Sequence, residues 1–373
     1  IIFLDEFAFV PPSIAEMFFS SVYPTISSGQ KTKMIIVSTP YGMNQFYKLW
    51  TDAENGRNDY VPIEVHWSEV PGRDEKWKEA TIRNTSPEQF QQEFECEFLG
   101  SVNTLISPAK IKNMTFQTPI QSNAGLDVYE QPDKSKTYVC CVDVARGVTK
   151  DYSAFTMIDV TKMPYKIVAK YRNNDIKPLL FPHTIEQVAK GYNHAHVLVE
   201  TNDLGQQVAE ALQFELEYDN LLMTTQRGRS GQVLGAGFSG RGSGFGVKMT
   251  KQIKKIGCSN IKTLVEGDKM IINDFNIIEE MSTFIKRGQS WQAEEGNTDD
   301  LMMCLVIFGW LSNQPYFKEM TDTNARQQLY EEQQNLIEQD MAPFGFVDDG
   351  LDDTRPEIDE YGTVWHPVVR KGQ

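Results

Sequence analysis

The sequence predicts an α/β protein built from two consecutive sheet-containing parts. A short all-apolar run at 1–4 and an apolar run opened by Lys33 at 33–37 stop abruptly at Asp5-Glu6 and at Ser38-Thr39-Pro40. Buried parallel strands look like this when they deliver polar groups to one sheet edge. A second series at 138–144, 154–160 and 166–171 is separated by polar turns, which favours three antiparallel strands. The total of 373 residues exceeds the size at which single cores usually stop growing.

In the first part, helices are expected at 14–21, 46–51 and 87–97, where Phe90, Phe94 and Phe98 recur at spacing four. A further strand is expected at 61–67. Residues 101–136, with several Pro, Asn and Ser, read as connecting structure. The second part continues with a helix at 184–191, a strand at 196–200, a helix at 206–217 and a short strand at 221–224. Amphipathic helices at 251–265 and 276–287 bracket a strand at 270–272, and an apolar helix closes the series at 299–313. Three antiparallel strands, a helix, a strand and further helices is the element order of an RNase H-like (RuvC/integrase-type) fold. Beyond Pro315 the chain turns Gln- and acid-rich, with a helix expected at 325–339 and little order after it. The expected division is 1–101, 102–315 and an acidic, partly disordered tail at 316–373. The first strand opens at Ile1 without Met, so the chain reads as the C-terminal portion of something longer.

A net charge of −15 argues against a protein that coats nucleic acid, since phosphates are neutralised by Lys and Arg. The 316–373 tail holds 13 Asp and Glu against 5 Lys and Arg, so over half of the excess sits there. The rest is still acidic, and DNA contact would need a local basic patch. One candidate lies in RGRSGQVLGAGFSGRGSGFGV, where eight glycines accompany Arg227, Arg229 and Arg241. A DNA-contacting hairpin and a solvated insertion without a role both fit it. The five cysteines form no CxxC pair, which favours free thiols in a reducing cytosol over zinc or disulfides. No apolar run approaches the roughly 20 residues of a membrane span, so no membrane role is expected.

Asp5-Glu6 after a buried strand has the shape of a Walker B site, with Asp5 near nucleotide-bound Mg²⁺ and Glu6 orienting a water. Ser38-Thr39 at the end of a second such strand could sense the γ-phosphate. The chain contains no GxxxxGK(S/T). Without that phosphate cradle it is not expected to hydrolyse ATP by itself.

The second part carries the stronger constellation. Asp143 lies in a strongly apolar strand, where an unpartnered carboxylate is costly. Glu200 ends the fourth strand, and Asp299-Asp300 open the last helix, whose N-terminus favours negative charge. Together they are positioned to converge on two Mg²⁺ or Mn²⁺ ions roughly 3.5–4 Å apart for phosphodiester hydrolysis. Asp151 is a weaker candidate ligand, and Asp159 and Asp203 read as a turn acid and a helix cap. Singly, each acid has a plain alternative: Asp143 paired with Arg146, Glu200 at the surface, Asp299-Asp300 as helix caps.

IIFLDEFAFV, IIVSTPYGMNQFYKLW and FQQEFECEFLGS resemble the later ATPase motifs of the large terminase subunit of tailed bacteriophages. YVCCVDVARGVTKDYSAFTMIDVT, VLVETND and WQAEEGNTDDLMMCLVIFGWL are similar to its nuclease domain, most closely in the T-even type. The resemblance runs over about residues 1–315. It implies the C-terminal portion of a P-loop-type ATPase domain followed by an RNase H-like nuclease. It further implies a motor that cuts concatemeric double-stranded viral DNA and packages it, with the portal protein, the small terminase subunit and a homo-oligomeric ring as partners. The implied location is the host cytoplasm, transiently at the procapsid portal vertex.

Residue by residue, Asp5 and Glu6 match the Walker B pair, Ser38-Thr39-Pro40 the coupling motif, and Asp143, Glu200 and Asp300 the nuclease triad. Asp300 is preferred over Asp299 because the family's ligand is the second Asp of the pair. Two features depart from the family. Thr298 stands where a His is frequent, and the Gly/Arg loop is longer than in T-even relatives. ATP-driven translocation would need the missing Walker A part. Two other readings remain: a non-catalytic DNA-gripping subunit of a split motor, and a RuvC-like repair nuclease, which the ATPase-like first 100 residues disfavour.

Overall fold

The computed structural model describes residues 1–29, 31–101, 103–145, 152–226, 232–235, 243–321, 357–358 and 364–365. The chain divides into two units, Ile1–Ala325 and Arg326–Gln373. In the first unit, β1 (Ile2–Asp5) pairs in parallel with β2 (Met34–Val37), and α1 (Pro12–Ser21) and α2 (Tyr23–Ser27) connect them. Next come α3 (Gln45–Glu54), α4 (Glu75–Asn84), α5 (Pro87–Glu93) and α6 (Pro108–Lys112). Asn44 caps α3 by accepting from Phe46 N, and Asp74 and Ser86 cap α4 and α5 in the same way. Phe7, Ala8, Ala15 and Phe46 form a small core beneath the two-stranded sheet.

The expected strand at 61–67 is not present. Residues 61–66 carry no regular structure and a 3-10 turn follows at Trp67–Glu69. Val61, Ile63 and Val65 are exposed, as are Phe3, Ile35 and Val37 on β1 and β2. The alternating pattern of 61–65 is that of a strand, but no strand pairs with it among the described residues, and a strand exists only by pairing.

The large sheet follows. It is built from β3 (Gln121–Asn123), β4 (Leu126–Val128), β5 (Tyr138–Asp143), β6 (Ser153–Asp159), β7 (Tyr165–Asn173) and, after α7 (Phe181–Gly191), β8 (His196–Val199). Strand order is β3-β4-β7-β6-β5-β8, with β8 parallel to β5 and the other neighbours antiparallel. Leu221 extends the sheet beyond β8 through a parallel bridge to Val197. This is the RNase H-like arrangement that the element order predicts.

After α8 (Gly205–Glu210) a π-turn at Ala211–Glu215 completes the expected helix, and β9 (Met223–Gln226), β10 (Gln232–Gly235) and β11 (Ser243–Phe245) form a separate small sheet. The chain then runs through α9 (Lys251–Glu266), β12 (Met270–Ile271), α10 (Phe275–Thr283), the hairpin β13 (Phe284–Arg287) and β14 (Ser290–Ala293), and α11 (Asp300–Leu311). The helix expected at 276–287 is therefore split. Its last four residues pair as β13 because Ser290–Ala293 supplies an antiparallel partner. In the second unit, β15 (Glu357–Ile358) pairs with β16 (Val364–Trp365). The helix expected at 325–339 lies outside the described residues.

Strand β5 is buried on both faces, and its period of two sorts side chains between two cores. Val139 and Cys141 pack with α9, α10 and α11 residues, whereas Tyr138, Cys140 and Val142 pack with α7 and α8 residues. Apolar all round and fully buried, α11 crosses α9 at a contact only glycine permits. A Cβ on Gly257 would lie 2.2 Å from Val306 O, and one on Gly309 would lie 2.4 Å from Gly257 O. Gly257→Ala is expected to destabilise the fold by about 1–3 kcal/mol through overpacking, despite the better helix propensity of Ala. Urea denaturation with an unchanged midpoint would contradict this account of the helix crossing.

Candidate metal centre

Strand parity positions the first two acids. Asp143 follows Val139 and Cys141 on the alternation of β5, and Glu200 follows Leu198 on that of β8; all three apolar residues face α11. The strands are locked in parallel register, and Glu200 N donates to Val142 O at 2.9 Å. Glu200 itself forms a parallel bridge with Val247. The third acid, Asp300, is the first residue of α11, where the helix dipole favours a negative charge. Asp299 precedes it as the cap residue but makes no side-chain capping bond; its Oδ2 lies 3.9 Å from Lys254 Nζ.

Sequence reasoning missed a fourth acid. Glu280 on α10 is buried; its Oε2 accepts from Met302 N at 2.8 Å and its Oε1 from the Thr298 hydroxyl at 3.2 Å. Arg172 on β7 completes the arrangement. Its guanidinium donates to Thr298 Oγ1 at 3.0 Å, approaches Glu280 Oε1 at 3.8 Å and stacks 3.9 Å from the Tyr152 ring centroid. It also meets Glu16 of α1 at 3.4 Å, joining the first part of the chain to this centre. Thr298, where a His was the family expectation, thus accepts from Arg172 and donates to Glu280. A signal for Glu280 was present, since an acid between Ile277 and Phe284 on an apolar helix face needs a partner.

Burial, then repulsion from Glu200, Asp300, Asp299 and Glu280, pushes the Asp143 carboxyl well above the usual carboxylate range. Among the described residues, the charges that push it up are those of these four carboxylates. Burial, then Glu280, raises Asp300 to about 8, although Arg172 and a hydrogen bond from the Tyr152 backbone oppose the shift. Glu280 rises to about 7 through burial, opposed by Arg172 and the Met302 N–H. Arg172 lowers both Asp300 and Glu280. Asp300 Oδ2 is buried and has no hydrogen-bond partner among the described residues.

Among the described residues, no group of three or more His, Cys, Asp or Glu is placed so that it could hold a metal ion as it stands. Asp151 lies outside the described residues, as do Arg227, Arg229 and Arg241. The fit to a metal therefore rests on charge and chemistry. A buried set of oxygen donors with excess negative charge, one of them orphaned, suits a hard divalent cation.

In the first part, Asp5 ends β1, and Glu6 follows in the left-handed region at φ 53°. The Ser38 hydroxyl lies 3.4 Å from Glu6 Oε2 and 2.8 Å from Thr39 O, and it accepts from Ala8 N at 3.0 Å. The two strand ends thus meet as the sequence predicts. Glu6 and Ser38 are neighbours at one edge of a parallel pair.

Two family models match this chain in consecutive order. One is described as terminase large subunit, T4likevirus-type, N-terminal, and covers residues 1–113. The other, terminase RNaseH-like domain, covers 140–314 and encloses Asp143, Glu200 and Asp300. The chain belongs to the large terminase subunit family. Among similar proteins, the large terminase subunit of Thermus virus P23-45 is 23% identical over 94% of this chain and 68% of its own length. The large terminase subunit of Thermus phage G20c matches at the same identity and coverage. A solved structure, the magnesium-bound large terminase nuclease of phage G20c, aligns with 56% of this chain and 97% of its own. Its TM-score is 0.43 at 18% identity.

The raised acids give the folded chain a definite pH response. Asp300 and Glu280 hold protons in the folded state at pH values where the unfolded chain has lost them, its values being near 3.8 and 4.5. Their protonation therefore favours folding most below that range, and the stabilisation is lost as pH rises through about 7 and about 8. In EDTA, the melting temperature is expected to fall between about pH 6 and pH 9, and Mg²⁺ is expected to restore more of it at the higher pH. A melting temperature that stays level or climbs over that range in EDTA would contradict the assignment of buried, mutually repelling acids.

Proposed function

We propose that this chain is a divalent-metal-dependent endodeoxyribonuclease that cuts concatemeric double-stranded phage DNA during genome packaging. The observation that carries the reading is Asp143 at the end of β5, whose carboxyl is pushed up by burial and by the neighbouring carboxylates of Glu200, Asp300, Asp299 and Glu280. Asp143, Glu200 and Asp300 would hold two Mg²⁺ or Mn²⁺ ions, with Asp299 and Asp151 as accessory ligands. The bound ions supply activation of water and stabilisation of the leaving 3′ oxygen. Asp143 and Asp300 must give up their protons to serve as ligands, so metal affinity rises with pH. Arg172, Thr298 and Glu280 hold the start of α11, and with it Asp299 and Asp300, against the sheet. Arg227, Arg229 and Arg241 would contact DNA phosphates.

The same reading divides the chain into a nucleotide-sensing part at 1–101, a nuclease at 102–315 and an acidic tail at 316–373. Asp5, Glu6, Ser38 and Thr39 would serve ATP-driven translocation once a P-loop segment completes the nucleotide site. The portal protein, the small terminase subunit and further copies in a ring on the procapsid would be the partners, in the host cytoplasm. No helix among the described residues is long and apolar enough to cross a membrane. The exposed apolar side chains of Phe3, Ile35, Val37, Val61 and Ile63 favour a second reading, in which this part docks on a P-loop-bearing polypeptide.

Incubating supercoiled plasmid with the purified chain in Mg²⁺, Mn²⁺ or EDTA tests the proposal. Metal-dependent nicking and linearisation are expected. They should fall by a hundredfold or so or more in Asp143→Asn and in Asp300→Asn, with the melting temperature in EDTA unchanged or raised. A folded Asp300→Asn variant that cuts like the wild type would overturn the site assignment. A folded wild type that cuts with no metal, or does not cut, would overturn the nuclease reading.

A further inference from the structure

The first helix after the small sheet has an unusual charge distribution for so acidic a chain. α9 carries Lys251, Lys254, Lys255 and Lys262, and its only acid, Glu266, stands at its last position. Glu266 is already engaged by the backbone and hydroxyl of Ser107. Lys248, Lys251, Lys255 and Lys262 are all exposed, and no ion pair joins any of them to another described residue. The rise of a helix places Lys255 about 6 Å beyond Lys251 and Lys262 about 10 Å further on, along one exposed face.

This placement opposes local stability. Cations in the first turns of a helix meet the positive end of its dipole, and α9 has no acid there to offset them. Like charges at i and i+4 repel as well. A local choice that works against the fold is expected where function requires it.

The face also borders the metal centre. Val247, immediately before Lys248, bridges to Glu200, and Thr201 N donates to Val247 O at 2.9 Å. Asn202 holds the Met249 backbone through bonds of 2.9 and 3.1 Å. One turn into α9, Lys254 Nζ stands 3.9 Å from Asp299 Oδ2 and 5.5 Å from the centroid of the Phe284 ring. A lysine row therefore starts beside Glu200 and Asp299 and runs away from them along the surface.

We propose that the exposed face formed by Lys248, Lys251, Lys255 and Lys262 is a phosphate track that seats the backbone of duplex DNA beside the centre, independently of the Gly/Arg loop. The proposal rests on the reading of that centre as a DNA nuclease. Its partner is identified by charge: a polyanion long enough to engage several lysines and tolerant of any base sequence. The carboxylate centre repels a phosphodiester, and the lysine row supplies the attraction that brings one to it.

The test uses the full chain and a fluorescein-labelled 30-base-pair duplex, with binding followed by anisotropy in EDTA at several salt concentrations. For Lys251→Gln/Lys255→Gln, the Kd near 0.1 M salt is expected to rise on the order of tenfold, and the salt slope to shrink by about one per lysine removed. In Mg²⁺ the KM for plasmid cleavage should rise with kcat unchanged. The melting temperature should hold or increase, since the substitutions relieve helix-start repulsion. Lys190→Gln, on α7 across the sheet, should bind as the wild type does. A double variant with wild-type Kd and slope would overturn the track while leaving the nuclease intact. Duplex binding that weakens as expected in a chain that never cleaves would retain the track and reject the nuclease. Absence of duplex binding by the wild type would overturn the track.

Discussion

Three carboxylates brought to one end of a buried sheet repel one another and are deprived of water, and the nuclease-like half of this chain is arranged around that cost. Asp143 ends a deeply buried strand, Glu200 follows its parallel neighbour, and Asp300 begins a helix with no exposed face. None of these positions is cheap for an acid. Burial is the largest influence on Asp143 and on Asp300, and neighbouring carboxylates add to it in both. A protein under selection for stability alone would place apolar groups here, as it does at nearly every adjacent position. Under the proposed function, a divalent cation is the partner that offsets this cost.

The surrounding structure keeps these groups from relaxing apart. The parallel ladder between β5 and β8 fixes the separation of Asp143 and Glu200. The glycine crossing between α9 and α11 sets how closely the last helix lies on the sheet. Arg172 supplies a buried positive charge beside the centre, and it acts on Glu280 and Thr298 at the entrance to α11. Its remaining contact, to Glu16, ties that clamp to the helix that follows the Asp5-Glu6 strand. A buried ion pair of this kind contributes little net stability, but removing one partner leaves the other charge stranded. Through it, the two parts of the unit share a charge network.

Much of this was legible from the sequence because the informative residues are those whose neighbours are apolar. The strand holding Asp143 and the helix opened by Asp300 announce themselves by long buried runs, whereas β3 and β4, which extend the sheet, lie in the stretch at 101–136 that reads as connecting structure. Glu280 was missed because it sits in an amphipathic helix directly after another acid, Glu279, where one more acid looks solvated despite the apolar residues on its face. Its burial depends on α11, far along the chain. Arg172 was missed for the same reason, as an isolated charge at the end of a strand. The strand expected at 61–67 failed on a different ground. Alternation shows that a segment could pair, but pairing needs a partner, and the described residues offer none. Likewise 284–287 follows a helical pattern, yet the residues after Gly288 turn back and capture it as a hairpin.

The central claim is that the acids at the end of β5, the end of β8 and the start of α11 form one divalent-cation site. Crystals of the chain soaked in Mn²⁺ test this most directly, with anomalous scattering recorded near the manganese edge. The account expects an anomalous peak within ligating distance of Asp143 and Asp300, with Glu200 turned toward it. Peaks confined to the surface, with the three carboxylates ordered and Mn²⁺ in excess, would contradict it.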